Sequence, residues 1–281
     1  PPVSDDKAFV SSVLRLCIDE EIRCVLPQND RELVTLAGAR ARFEKEGILI
    51  AGVDETHAKI ARDKVALSTW LAEKGYTRAE TRTPIPKDGT FGPSDAFVEK
   101  SRCGQGSEGL LFHDAIPREL SSPESILQQR LEGEEYNLDI LRDYCGEVVC
   151  VSVKKKLAME NGSTAKAVSV RSAALEEFGG QLAHDLGVFG SIDVDLILTS
   201  QGPVVIDINP RIGGGFPFTA TYYPAYVDHL LAVCTGESVG PRPSSYREDI
   251  VVAREFSFSH LKGAADELDS ASHQGDPSWT N

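Results

Sequence analysis

Between Gly190 and Gly215 the chain reads Gly-Ser-Ile-Asp-Val-Asp-Leu-Ile-Leu, then Thr-Ser-Gln-Gly-Pro, then Val-Val-Ile-Asp-Ile-Asn-Pro-Arg-Ile-Gly-Gly-Gly. Two β-branched apolar runs around a polar Gly/Pro cluster predict an antiparallel hairpin. Side chains on a strand repeat with period two, so Asp193 and Asp195 share one face of the first strand, and Asp207 and Asn209 share one face of the second. Pairing Leu198 with Val204 across a turn at Thr199–Pro203 sets Asp195 opposite Asp207 and Asp193 opposite Asn209. Opposed carboxylates repel, so the pattern makes sense chiefly around a cation, and such oxygen donors suit a hard divalent ion, Mg2+ or Mn2+. Arg211 and the pliable backbone of Gly213, Gly214 and Gly215 add what a phosphate-handling site needs. The plainer reading is a half-buried hairpin with one wet face.

A second candidate segment starts at Ala96-Phe97-Val98-Glu99-Lys100, a strand followed by Ser101-Arg102-Cys103-Gly104-Gln105-Gly106-Ser107-Glu108-Gly109. Gly104, Gly106 and Gly109 satisfy G-x-G-x-x-G, but a dinucleotide fingerprint needs a helix directly afterwards. Leu110-Leu111-Phe112-His113 and then Pro117 are too short and too apolar for one. A hairpin flap fits better, its bare backbone closing on phosphates and Lys100 reaching them as a point charge. A plain glycine-rich turn beside a surface lysine is the alternative. Glu132-Gly133-Glu134-Glu135 reads either as a partner for a ribose diol or amino group, or as a solvated turn. Lys154-Lys155-Lys156 reads either as a phosphate or carboxylate clamp, or as an exposed strand end.

Other elements must hold these residues in place. Ala8–Ile22 has a helical apolar stripe and Arg23–Leu26 is a short buried strand. Asp30 is placed to cap a helix running to about Lys45, Gly47–Gly52 is a further strand, and a helix follows from about Thr56 to Lys74. Strand alternating with helix implies a parallel sheet with crossover helices. Gly75–Asp95 reads as a linker. Strands are expected near Glu132–Ile140, Glu147–Val153 and Ala167–Val170, with a loop at Asn161–Lys166. Helices are expected at Leu175–Leu186 and Ala225–Thr235, the latter stopped by Gly236. The division anticipated is a pre-catalytic subdomain with its linking helix over 1–75, a lid over 76–130, a catalytic subdomain over 131–263 and a flexible tail over 264–281.

The 281 residues carry 29 Lys and Arg against 43 Asp and Glu, a net charge of −14. Neither nucleic acid nor an anionic membrane attracts such a surface. Six cysteines form no CxxC pair or regular framework, which points to reduced thiols in a cytoplasmic protein, with zinc unexpected. No apolar run has the length of a membrane span and the first residues are no signal peptide. The histidines show no ligand spacing.

In Ile206-Asp-Ile-Asn-Pro-Arg-Ile-Gly-Gly-Gly215, preceded by Gly190-Ser-Ile-Asp-Val-Asp195, the chain resembles the ATP-grasp superfamily, and within it the carbamoyl-phosphate synthase large-subunit-like and PylC-like carboxylate–amine ligases. The resemblance runs from about Arg23 to Gly236. It implies an α/β fold of α+β character: a partial parallel-sheet amino-terminal subdomain, a small glycine-flap lid and an antiparallel-sheet catalytic subdomain. It implies metal ligands at Asp195, Asp207 and Asn209, with Arg211 facing the transferred phosphate. Lys64, in Ala61-Arg-Asp-Lys-Val65, matches the basic residue that meets the nucleotide phosphates. Lys100 matches its partner before the flap formed by Gly104, Gly106, Ser107 and Gly109. Adenine would lie against Gln128–Leu131, including Gln129, with Leu131 giving backbone hydrogen bonds and Glu135 standing near the ribose. The sequence departs from the family pattern in Lys100-Ser101-Arg102, where Lys-Pro-Arg is usual, and at Gln129, where an acid is common. The family's opening strand and glycine-rich turn are not visible before Ala8.

The activity implied is ligation of a small-molecule carboxylate to an amine, using ATP and Mg2+ and passing through an acyl phosphate, with Arg211, Lys100 and Asn209 as catalytic residues and a homodimer as one possible assembly. Rival readings are a small-molecule kinase of the same fold, a non-catalytic nucleotide-binding module, and an NAD-dependent oxidoreductase.

Overall fold

A computed structural model describes residues 6–82, 96–104, 110–117, 119–160, 162–242 and 245–255. The amino-terminal part comprises α1 (Asp6–Asp19), β1 (Cys24–Val25), α2 (Asp30–Gly38), α3 (Arg40–Glu44) and β2 (Leu49–Ile50), followed by α4 (Glu55–Arg62) and α5 (Lys64–Glu73). β1 and β2 pair in parallel, as the strand–helix alternation predicts. Their core is Phe9, Val10, Cys17, Leu36, Phe43, Ile48 and Ile50.

The helices here differ from expectation in two informative ways. Asn29, not Asp30, caps α2, its side chain accepting from the Glu32 N–H, so the Asp30 carboxylate is free for another partner. The helix expected over Thr56–Lys74 is broken at Asp63, whose extended backbone (φ −98°, ψ 107°) ends α4 and whose carboxylate caps α5 by accepting from the Val65 and Ala66 N–H groups. Arg102 grips the same carboxylate through Nε and Nη2. Helix-forming residues run straight through this break, and a cap needs only one residue out of helical conformation.

The lid contains β3 (Thr81–Arg82), β4 (Phe97–Ser101), β5 (Leu111–His113) and β6 (Ser125–Gln129), in the antiparallel order β3-β6-β4-β5. β3 lies within the stretch expected to be a linker, and Ser125–Gln129 is a strand of this sheet. β4 and β5 form the hairpin predicted for the flap, with Phe97 opposite His113. Gly106, Ser107 and Gly109 lie outside the described residues, as do 264–281.

The largest sheet has six strands in the order β11-β10-β7-β8-β9-β12. Its strands are β7 (Glu134–Arg142), β8 (Val148–Glu160), β9 (Ser163–Val170), β10 (Gly190–Thr199), β11 (Gly202–Asn209) and β12 (Val251–Ala253). α6 (Ala173–Leu186) covers one face, where Leu138, Ile140, Val151, Val153, Ile192 and Val194 meet Leu175, Leu182 and Leu186. Gly179 lets the helix approach: a Cβ there would sit 3.0 Å from Leu138 Cδ1 and 3.1 Å from Ile140 Cδ1. Ser172 caps α6 and Gly187, at φ +64°, ends it. Over the other face lie α7 (Phe216–Tyr222) and α8 (Ala225–Cys234), with Phe218, Tyr222, Tyr223 and Tyr226 in a second core. Much of the Asn161–Lys166 loop is strand, since β9 already begins at Ser163.

Candidate active site

The two-residue repeat of β10 and β11 does what the sequence implies. Asp195 lies opposite Asp207 and Asp193 opposite Asn209. The route to that register differs from the one expected. Ile197, not Leu198, pairs with Val204, and the turn is the tighter Thr199–Gly202. A bulge at Ile206 adds one residue to β11 and restores the acidic pairing. The equivalent positions on β7 and β8 continue the polar rows: Asn137 and Lys154 follow Asp195, while Asp139 and Ser152 follow Asp193.

Amide hydrogens interleave these carboxylates. Asn137 Nδ2 donates to Asp193 Oδ1 at 2.6 Å and to Asp195 Oδ1 at 2.7 Å, and Asn209 Nδ2 donates to Asp193 Oδ2 at 3.0 Å. Burial, then the neighbouring Asp195 and Asp139, push the Asp193 carboxyl up to about 7. Gly213 passes over Asp193, where a Cβ would lie 2.3 Å from its carboxyl carbon. Gly215 passes over Lys154 and Asn137.

A cleft of about 480 Å³ opens between the lid sheet and the acidic end of the large sheet. Lys64, Lys100, Gly104, Gln128, Gln129, Leu131, Glu135, Asp195 and Asp207 all line it, alongside apolar Val98, Phe112, Met159, Ile197 and Ile206. Lys64 is the first residue of α5, so the break at Asp63 aims it inward. Its Nζ donates to Gly104 O at 2.9 Å and stands 3.7 Å from Asp207 Oδ1. Lys100 Nζ donates to Ile206 O, and burial, with Lys64 adding to it against the pull of Asp207, lowers its ammonium to about 8. At Gly133 (φ +154°) the segment between lid and large sheet runs so close to β10 that a Cβ would meet Leu198 O at 2.4 Å.

Asn209 and Arg211 stand beyond this wall. Arg211 Nε pairs with Asp30 Oδ1 at 3.1 Å, Nη2 donates to Asn209 Oδ1 at 3.1 Å, and Nη1 to Ile212 O. The carboxylate that does not cap α2 therefore ties the amino-terminal part to the bend that follows β11.

The three consecutive lysines are not an exposed strand end, and each meets a different carboxylate of this chain. Strand alternation sends Lys154 inward to Asp139 and Thr219, fully buried, and Lys155 out to Glu134. Lys156 Nζ sits between Glu135 Oε1 (2.7 Å) and Asp195 Oδ1 (2.8 Å). Burial pulls the Lys156 ammonium down, but these two carboxylates outweigh it and hold it above the ordinary lysine value. Sequence reasoning singled out the three lysines together without separating Lys156 from the others, and it missed Asn137 as a site residue; the clue for Asn137 was its place at period two from Asp139.

Among the described residues, no group of three or more His, Cys, Asp or Glu is arranged for a metal. The donor set that fits one here is two opposed carboxylates and an amide oxygen, Asp195, Asp207 and Asn209, all hard oxygens suited to Mg2+. All six cysteines are free thiols, and no helix among the described residues is long and apolar enough to cross a membrane.

A family model described as an ATP-grasp domain matches residues 61–215. Among solved structures, the biotin carboxylase domain of Hydrogenobacter thermophilus 2-oxoglutarate carboxylase, in complex with MgADP, ADP and bicarbonate, is 15% identical at a TM-score of 0.64. That alignment covers 86% of this chain and 60% of the other. N5-carboxyaminoimidazole ribonucleotide synthetase from Thermotoga maritima is 17% identical at 0.61, over 83% of this chain and 63% of that one. An L-amino acid ligase from Bacillus licheniformis is 16% identical at 0.63, over 87% and 64%. The chain thus spans between 60% and 64% of the length of these three proteins. What the likeness to them shows is the fold, with the small parallel sheet and the antiparallel sheets expected.

Proposed function

We propose that this chain, which belongs to the ATP-grasp family, is an ATP-dependent ligase that joins a small-molecule carboxylate to an amine. The observation that carries the reading is one cleft that brings together two lysines, a pair of cross-strand carboxylates and an extended segment at Gln128–Leu131 beside apolar side chains. That combination suits a nucleotide: the apolar end takes a base, the backbone of Leu131 reads its edge, Glu135 takes the ribose, and Lys64 and Lys100 meet the phosphates. Asp195, Asp207 and Asn209 would hold Mg2+, which when bound screens the triphosphate charge.

In the proposed reaction a carboxylate oxygen of the acceptor attacks the γ-phosphorus as the bond to the ADP oxygen breaks, giving an acyl phosphate. The amine then attacks the acyl carbon, phosphate leaves, and the amine proton passes to solvent. Lys64 and Lys100 stabilise charge on the transferred group from fixed positions, so little reorganisation is needed as that charge moves. Arg211, steadied by Asp30 and Asn209, supplies a further cation at the acceptor end. The glycine flap would exclude the water that hydrolyses the intermediate. The structural relatives named above include an amino acid ligase and a carboxyaminoimidazole ribonucleotide synthetase, which supports this class of chemistry.

The test is ADP release with pooled carboxylates and amines, followed by product mass. Activity is expected to need both pools and to vanish in D207A. A phosphorylated acceptor as the final product, or activity that survives D207A, would refute the reading.

A further inference from the structure

We infer that Lys156 is a resident counter-ion of the cleft, whose ammonium between Glu135 and Asp195 balances the metal end before nucleotide arrives, so that a divalent cation enters with the triphosphate and not ahead of it. The inference rests on the nucleotide reading of the cleft. Among the described residues three carboxylates line the cleft, Glu135, Asp195 and Asp207, and three ammonium groups meet them, Lys64 and Lys100 from the cleft wall and Lys156 from just behind it, while Arg130, also on the wall, pairs with Asp114. Behind this layer Asp139 is already paired with buried Lys154, and Asp193 is held by the amides of Asn137 and Asn209. The local charge therefore closes without a metal.

Lys156 is well placed for that role. Its side chain is 7% exposed, and its strand neighbours Lys154 and Lys155 are engaged elsewhere, so no other cation of β8 can replace it. It takes only one oxygen of Asp195. Oδ1 accepts from both Lys156 and Asn137, whereas Oδ2 carries no hydrogen bond among the described residues. The carboxylate is thus fixed in orientation while one oxygen stays available. A dication approaching the empty cleft meets the field of a close ammonium, which offsets the attraction of Asp195. Arrival of a triphosphate adds more negative charge than the three lysines carry, and the balance then favours the dication. Lys156 is accordingly a positioning residue that also sets the order of binding.

Mn2+ binding, read as loss of the free Mn2+ electron paramagnetic resonance signal, tests this with and without a non-hydrolysable ATP analogue. Wild type is expected to bind Mn2+ weakly alone and tightly with the analogue. K156Q is expected to bind Mn2+ alone at least about tenfold more tightly than wild type, because one unit charge next to the ion has gone. K156R, which keeps the charge, is expected to behave like wild type. E135Q, which leaves Lys156 in excess, is expected to weaken Mn2+ binding without nucleotide. A merely structural role would shift K156Q and E135Q in the same direction, and E135Q still decides the matter if K156Q does not fold. Equal Mn2+ affinity of K156Q and wild type, or tight binding by wild type alone, would overturn the inference. Failure of wild type to bind the analogue would instead refute the nucleotide reading on which it rests.

Discussion

Asp30 holds Arg211, in the bend after β11, from the amino-terminal part, and replacing it tests how far that part takes part in catalysis. The pair is a single Nε to Oδ1 contact of 3.1 Å, with the side chains 12% and 15% exposed, so solvent screens it only in part. A charge-assisted hydrogen bond of this kind contributes about 1.5–3 kcal/mol. If that energy is used chiefly to hold Arg211 toward the acceptor end, its loss lowers kcat by roughly ten- to a hundredfold. Arg211 keeps its contacts to Asn209 and Ile212, so the loss should not be complete. D30N, which retains an acceptor oxygen, should fall between wild type and D30A. The KM for ATP should change little, because Arg211 lies off the cleft wall that receives the nucleotide. The assay is steady-state ADP release by D30N, D30A, R211A and the D30A/R211A double variant. A coupling energy of about 1–3 kcal/mol between the two positions is expected. Additive effects, or wild-type kcat in D30A, would refute the assignment of Asp30 as the anchor of Arg211.

Two further expectations concern stability. G213A should lower the melting temperature by the equivalent of about 1–3 kcal/mol, since its Cβ would press on an Asp193 carboxyl locked between two amides, while G214A, with nothing within 4 Å, should be neutral. Equal melting temperatures for the two variants would show that the loop does not rest on Asp193. The lid should lose stability in acid. Burial alone would raise the Glu99 carboxyl, but hydrogen bonds from the Ser121 hydroxyl and N–H and from His113 hold it below its ordinary value. A depressed folded-state value stabilises above the unfolded-state value of about 4.3, and that contribution is lost as pH falls through the folded-state value. Melts of wild type between pH 6 and 3 should therefore show a steeper decline than melts of E99Q; parallel curves would dismiss Glu99 as the cause.

Much of the site was legible in the amino-acid order because strand periodicity is a local property. Asp193 and Asp195, and Asp207 and Asn209, had to share faces once the runs around them were strands, and an antiparallel hairpin then had to bring those faces together. Even an incorrect pairing at the turn led to the correct acidic pairing, because the bulge at Ile206 cancelled the error. Net charge, the want of a helix after the glycine-rich segment, and the helix stop at Gly236 were equally local.

Contacts between distant segments were not legible. That Asp63 would break a helix and thereby aim Lys64 into a cleft depended on Arg102, far along the chain. That Asp30 would leave its cap to Asn29 and reach Arg211 depended on how the amino-terminal part packs against β11. The three lysines from 154 to 156 look alike in sequence, yet pleating gave them a buried partner, a surface partner and a place just behind the cleft wall, according to which carboxylate the neighbouring strands set opposite each. Side-chain chemistry and period are properties of the chain itself, whereas the partner of a charged group is chosen by strand order and packing, which exist only once the sheets have assembled.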